Sequence, residues 1–252
     1  MVMKVDLNSD MGEGFGPWRM GDDAALLDVI TSANIACGFH AGDPDVMAET
    51  MRLAAKNGVG IGAHPGFADL KGFGRRRLNI GADELGNMIA YQLSAAEGVA
   101  KSVGAKIRHF KLHGALANMC AEDATLAKTC YSAALRVNPE IILMVLAETA
   151  QQAVVQELGA NWAGEIFADR AYNEDATLVD RSLPNAVISD PELAAQRVLE
   201  MVRSKAIISS TGTSIPARID TICLHGDGES ALKIARSVRQ SLTADGIKVT
   251  KV

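Results

Sequence analysis

Cysteine is scarce and unpaired in this 252-residue chain: Cys37, Cys120, Cys130 and Cys223 include no C-x-x-C pair. Neither a disulfide framework nor a structural zinc knuckle is expected, and a reducing cytosol fits best. Net positive charge is lacking too. The formal charge is -5, and the single dense basic run is Arg75, Arg76 and Arg77 in "GFGRRRL", so a general nucleic-acid surface is not expected. No segment is long and apolar enough to span a bilayer, and Asp6 and Asp10 arrive before a signal-peptide core can form. A cytoplasmic protein with no membrane partner is expected. Three familiar signatures are missing as well. There is no G-x-x-x-x-G-K-S/T phosphate loop, "GVGIGAH" lacks the spacing and following helix of a dinucleotide fingerprint, and no G-x-S-x-G nucleophile elbow occurs. ATP or NAD binding cannot be read from motifs. With no repeat, low-complexity tract or proline-rich linker, residues 1–252 read as one domain.

What is present is ample apolar side chain, 48% hydrophobic against 22% charged, and a regular alternation of periods. Short β-like runs occur at "VMKVDL", "SANIACGF", "GVGIGAH", "KIRHFKL", "IILMVL", "AGEIFA" and "DTICLH". Helical spacing lies between them, over Asp22–Ile30, Pro44–Lys56, Ala82–Val103, Ala121–Val137, Thr149–Leu158, Pro191–Arg203 and Gly228–Ala244. Alternation of this kind implies parallel strands with crossover helices. An open sheet would gather its ligand at one switch point, whereas a barrel collects groups from many strand ends. Four of the five histidines decide between them: His40, His64, His113 and His225 each follow an apolar run, and Asp10 and Asp169 are similarly placed. A single barrel mouth is the expectation.

Several clusters could carry chemistry there. In "KVDLNSDMGEGFG", Asp6, Asn8 and Asp10 share one face of an extended chain, with Glu13 on the glycine turn beyond. That pattern reads either as a wet edge strand or as carboxylates placed for a metal or a proton transfer. Asp43 before Pro44 is a helix cap, while His40 has no such local duty. In "KIRHFKLHGALAN", His109, Lys111 and His113 share a face, and an inward lysine needs a partner charge. "FADRAYNEDATLVDRS" brings Asp169, Arg170 and Arg181 after a strand, where an arginine could grip a carboxylate. "LHGDGES" places His225 and Asp227 in a glycine turn before a helix, a natural anion site. The loop from His64 to Gly81, which contains the arginine run, reads as a lid or clamp in which Arg75 and its neighbours are either solvated or hold a carboxylate or phosphate.

Taken in order, "VDLNSDMGEGFG", "SANIACGFHAGDP", "GVGIGAHPGF" with "GFGRR", "KLHGALAN", "FADRAY" and "CLHGDG" resemble the LamB/YcsF family, the A subunits of 5-oxoprolinase. The resemblance implies an irregular, roughly seven-stranded parallel β/α barrel of the glycoside hydrolase and deacetylase type. It further implies ATP-dependent opening of 5-oxoproline to L-glutamate together with partner subunits B and C. Under it, Asp10, His40, His64, Lys111, His113 and Asp169 are expected to be catalytic. Asp6, Asn8, Glu13, Arg75, Arg170, His225 and Asp227 are expected to bind substrate, and Asp10, His40 and His64 are a candidate set for a divalent metal. Family members commonly have proline where Leu112 stands, an aromatic residue at Ala117, glycine at Ala171 and proline at Asp180, with serine and proline near Gly66 and Ala68. These departures spare the ionisable residues. A metal-dependent deacetylase or amidohydrolase and a non-catalytic, metabolite-binding accessory protein are the competing readings.

Overall fold

The computed structural model describes residues 3–225 and 230–252. In chain order the first half contains β1 (Lys4–Met11), α1 (Asp23–Leu27), β2 (Ser32–Ala36), α2 (Pro44–Lys56), β3 (Gly60–His64), α3 (Ala82–Ser102), β4 (Ile107–Lys111), α4 (Gly114–Glu122) and α5 (Ala124–Val137). The second half contains β5 (Ile142–Leu146), α6 (Ala150–Glu157), β6 (Trp162–Phe167), α7 (Pro191–Ser204), β7 (Ala206–Ile208), β8 (Ser214–Pro216), β9 (Thr221–Cys223), α8 (Ala231–Ala244) and β10 (Lys248–Val249). Strands β1 to β6 pair in sequence, β9 pairs with β6, and β9 returns to β1 through Asp6↔Thr221 and Asn8↔Cys223. Every one of these pairings is parallel, so seven strands close a barrel and β10 extends it beside the start of β1.

Closure explains the sequence texture. Strand β5, "ILMVL", is apolar throughout because its outer face lies under helices and its inner face under the opposite wall. Outside, α8 buries Ala231, Ile234, Ala235, Val238 and Leu242, a helical stripe, and packs on α7, as α3 packs on α5. Caps set where helices begin. Asp43 accepts from the amides of Asp45 and Val46 ahead of Pro44 as expected, and its other oxygen takes the Gly16 amide at 2.7 Å, tying down the glycine turn after β1.

Three elements differ from the sequence expectation. The helix expected over Ala121–Val137 begins at Ala124, because Asp123 leaves helical geometry and caps α5 through the amides of Thr125 and Leu126, and a separate helix not expected from the sequence, α4, precedes it. Helix α4 begins at Gly114, whose φ of +58° lets the chain turn straight out of β4. The hairpin of β7 and β8 and the short β10 carry too few residues to register as periodic runs. The expected helix start at Gly228 falls outside the described residues, as does Asp227. No described helix is long and apolar enough to cross a membrane.

Candidate active site

The barrel interior is filled from below by polar groups rather than by a plug of aliphatic chains. Asp6 accepts from Thr31 and Thr221, each at 2.6 Å, and from Ser32 at 2.8 Å. Thr221 in turn accepts from the Asn8 amide at 2.8 Å, and the same amide donates to Glu165 at 2.9 Å. The Asn8 carbonyl receives Asn34 at 2.7 Å, and Asn34 also donates to Asp10 at 2.9 Å while accepting from His109 at 2.8 Å. Gly62 makes room for this, since a Cβ there would overlap the His109 ring. Burial, reinforced by Lys111, holds His109 down to about 3, so it is a neutral donor.

Above this network stands Lys111, 4% exposed. Its ammonium lies 2.9 Å from Asp10, 3.0 Å from Glu165 and 3.0 Å from the sulfur of Cys223, with the Phe167 ring at 5.1 Å. Burial alone would lower it, but Asp10, Cys223 and Glu165 reverse the shift and hold it well above its ordinary value. Burial likewise opposes ionisation of Asp10, and His64 and Lys111 outweigh it, so the carboxylate stays well below its usual range. The lysine is a fixed cation between two carboxylates.

Beside it, the ends of β2, β3 and β4 bring three histidines together. His64 Nε2 is 3.3 Å from Asp10 Oδ2 and 3.0 Å from His113 Nδ1, while His40 stacks on His113 with ring centroids 3.7 Å apart. Glu13, on the turn beyond β1, places Oε1 3.7 Å from His40 and 3.8 Å from His113. Burial, with His64 next, pulls His113 to about 3; burial followed by His113 and His64 takes His40 well below its ordinary value. Those two rings are neutral bases.

The loop from His64 to Gly81 is their roof. It is fastened at Gly66, whose amide and carbonyl both bond to Gln92, and at a 3-10 turn over Leu70–Gly72 capped by Asp69. Phe73 lies edge-on to His40 and His113, and its carbonyl accepts from His113 Nε2 at 2.8 Å. Gly74, at φ +63°, lies so close that a Cβ would approach His40 Cβ to 2.7 Å. The arginine run divides. Arg76 pairs with Asp69 and Arg77 with Glu122, and Arg75 crosses the Phe73 ring at 4.8 Å; Arg75 and Arg77 both line the cavity.

On the opposite wall, His225 Nδ1 is 2.8 Å from both oxygens of Asp169, and its Nε2 receives Arg181 at 3.0 Å. Because a carboxylate only accepts, Nδ1 carries the proton and Nε2 presents a lone pair. Burial opposes ionisation of Asp169, but His225, Arg181 and Arg170 hold it low.

These walls enclose a cavity of about 540 Å³, in the range of small-molecule sites. Asp10, Glu13, His64, Arg75, Lys111, His113, Arg170 and His225 line it. Asp6, Asn8, His40 and Asp169 are not among its lining residues: Asp6 and Asn8, expected to touch substrate, sit in the network below. Arg170 is also recast. It was expected to grip a carboxylate, but its guanidinium donates to the carbonyls of Val179 at 2.6 Å and Ala186 at 3.4 Å, bracing the segment after β6. The expected metal set is rearranged. The described donor atoms that converge belong to Glu13, His40, His64 and His113, while Asp10 groups with Cys223 and His225. Leu112 and Ala117, two of the departures, both line the cavity. Glu165, Asn34 and Thr221 escaped the sequence reading; a lone polar residue within an apolar strand run, as in "AGEIFA", was the available signal.

The family model described as LamB/YcsF matches residues 5–252. A protein of Ruegeria pomeroyi, named as the A subunit of 5-oxoprolinase, is 64% identical over 249 residues, 99% of this chain and 98% of that protein. The crystal structure of a lactam utilization protein from Thermus thermophilus superposes with a TM-score of 0.93 at 38% identity, covering 99% of this chain and 100% of that one. A family 4 carbohydrate esterase from Streptomyces lividans, at 12% identity and TM-score 0.50 over 99% of this chain and 93% of that one, shares the barrel alone.

Proposed function

The chain belongs to the LamB/YcsF family, and from that premise we propose that it is the A-type component of an ATP-dependent 5-oxoprolinase, opening the lactam of 5-oxoproline to L-glutamate together with partner subunits B and C. The observation that carries this reading is the combination at one cavity of a fixed cation, Lys111, the Asp10 carboxylate it is paired with, and His225 held by Asp169. A five-membered lactam is a resonance-stabilised amide, so opening it takes a nucleophile, polarisation of the carbonyl and a proton for the departing nitrogen.

Each requirement has a side chain. The Asp10 carboxylate, held well below its usual range, accepts a proton of a water aimed at the ring carbonyl. The Lys111 ammonium neutralises the charge that develops on the carbonyl oxygen, or on a phosphate transferred to it. When Arg181 turns from His225 Nε2 to the substrate, that nitrogen takes up the proton Asp10 removed from water and passes it to the ring nitrogen as the C–N bond breaks and the ring nitrogen becomes the amine of glutamate, with Nδ1 held on Asp169. Arg75 and Arg181, on the cavity wall, supply positive charge for the substrate carboxylate. The chain has no phosphate-loop motif, so under this reading the partners phosphorylate the lactam oxygen from ATP; water added in this barrel forms a tetrahedral carbon, the C–N bond breaks to leave an acyl phosphate of glutamate, and a second water releases the phosphate.

The test is glutamate formation from 5-oxoproline and ATP by this chain alone, by the partners alone and by the reconstituted mixture. Glutamate is expected from the mixture only. Formation at full rate by the partners without this chain overturns the reading.

A further inference from the structure

Proton accounting at the histidine cluster leads beyond that reaction. His64 Nδ1 lies 2.8 Å from the Lys111 carbonyl, and His113 Nε2 lies 2.8 Å from the Phe73 carbonyl. A carbonyl oxygen can only accept, so both of those nitrogens carry hydrogen. In neutral rings the other two nitrogens, His64 Nε2 and His113 Nδ1, are then bare, yet they face each other at 3.0 Å. Two lone pairs pointed together repel unless a cation lies between them. Asp10 Oδ2 at 3.3 Å and Glu13 Oε1 at 3.8 Å add negative charge to the same point. His40, 1% exposed, closes the group, and neither of its ring nitrogens has a hydrogen-bond partner among the described residues.

We propose that this cluster is a binding site for one zinc-class divalent cation, held by His64 Nε2, His113 Nδ1 and the Glu13 carboxylate, with His40 Nε2 as the fourth donor. The spacings suit it. Donors about 2.0–2.1 Å from a tetrahedral ion lie roughly 3.3–3.5 Å from one another, and here the separations are 3.0, 3.7 and 3.8 Å. The outer contacts suit it as well: imidazole ligands of metals characteristically donate their second N–H to a backbone carbonyl, as His64 and His113 both do. Imidazole-rich sets favour zinc, cobalt or iron over magnesium or calcium. Three of the four donors line the cavity and His40 does not, so an ion held there would lie at the cavity wall.

The test is titration of the chelator-treated full chain with Co²⁺, read by its visible d–d absorption. One equivalent is expected to bind, and His64→Ala or His113→Ala to weaken it at least ~100-fold, whereas Cys223→Ser leaves it unchanged. Nitrogen-15 NMR of the histidines in the unaltered protein keeps the test decisive if a variant fails to fold. Zn²⁺ should shift His64 Nε2 and His113 Nδ1 and leave His64 Nδ1 and His113 Nε2 protonated. Absence of binding, binding indifferent to both histidines, or loss confined to Cys223→Ser would each overturn the assignment. Because the readout is binding, a bound ion without glutamate formation refutes only the reaction proposed above, and glutamate formation without an ion refutes only this site.

Discussion

Below the barrel mouth, Asp6, Asn8, Asn34 and Thr221 are matched donor to acceptor, and His109 lacks a partner at Nδ1 alone. At the mouth, the ring nitrogens of His64 and His113 face each other at 3.0 Å, and neither ring nitrogen of His40 has a hydrogen-bond partner among the described residues. Both regions are buried and both come from the same strands, so location does not separate them. Completeness does. A buried polar group with all its partners holds the strands in register, whereas one left incomplete costs free energy unless a ligand finishes it. The lower network is therefore read as support and the mouth as the place where chemistry occurs.

Lys111 joins the two regions, and its removal is expected to have the largest effect. Lys111→Met leaves Asp10 and Glu165 buried without their shared cation. Breaking such a pair costs about 3–5 kcal/mol, seen as a large drop in the urea midpoint together with loss of turnover. A variant as stable as the parent would show that the lysine is not what balances the two carboxylates. Next in size is Asn34→Leu, which strips a donor from Asn8 and Asp10 and the acceptor from His109. Chemical denaturation should register a loss of about 1–3 kcal/mol; an unchanged midpoint would mean that the lower network does not hold the strands together.

Acid acts on the same contrast by degrees. His109 is held at about 3 by burial and Lys111, and His113 at about 3 by burial and His64. An unfolded histidine takes its proton near pH 6.5, so below that value the unfolded state binds protons that the folded state refuses. The stabilisation is complete above about pH 6.5 and is lost as the pH falls toward about 3, at up to ~1.4 kcal/mol per pH unit for each ring. Denaturation midpoints measured across this window check the sign. Flat stability would place the two rings in solvent-like surroundings.

How much of this was legible beforehand follows the same division. Strand-end placement marked His40, His64, His113 and His225, because a barrel gathers such positions whatever the loops do. The period of two put Asp6, Asn8 and Asp10 on one inward face, as the register with β9 and β2 bears out. Which of them meets the cavity was not legible, since depth in a barrel is set by stagger between strands and not by spacing along one. Glu165 was passed over because its strand is otherwise apolar, and its role exists only across the barrel, toward Lys111. Arg170 looked like a substrate clamp because sequence cannot show that Val179 and Ala186 turn back and offer it their carbonyls. The start of α5 was set a few residues early for a local reason: Asp123, which caps α5, also terminates α4, so the two helices follow each other without a loop.

The contrast between a support network and a working mouth is tested most directly by His225→Gln in the reconstituted mixture with 5-oxoproline and ATP. Glutamine keeps a donor for Asp169 but cannot relay a proton. Glutamate formation per folded molecule should fall at least ~100-fold while the thermal midpoint stays within a few degrees of the parent. Full turnover, or a loss of activity matched by a loss of fold, would contradict the account.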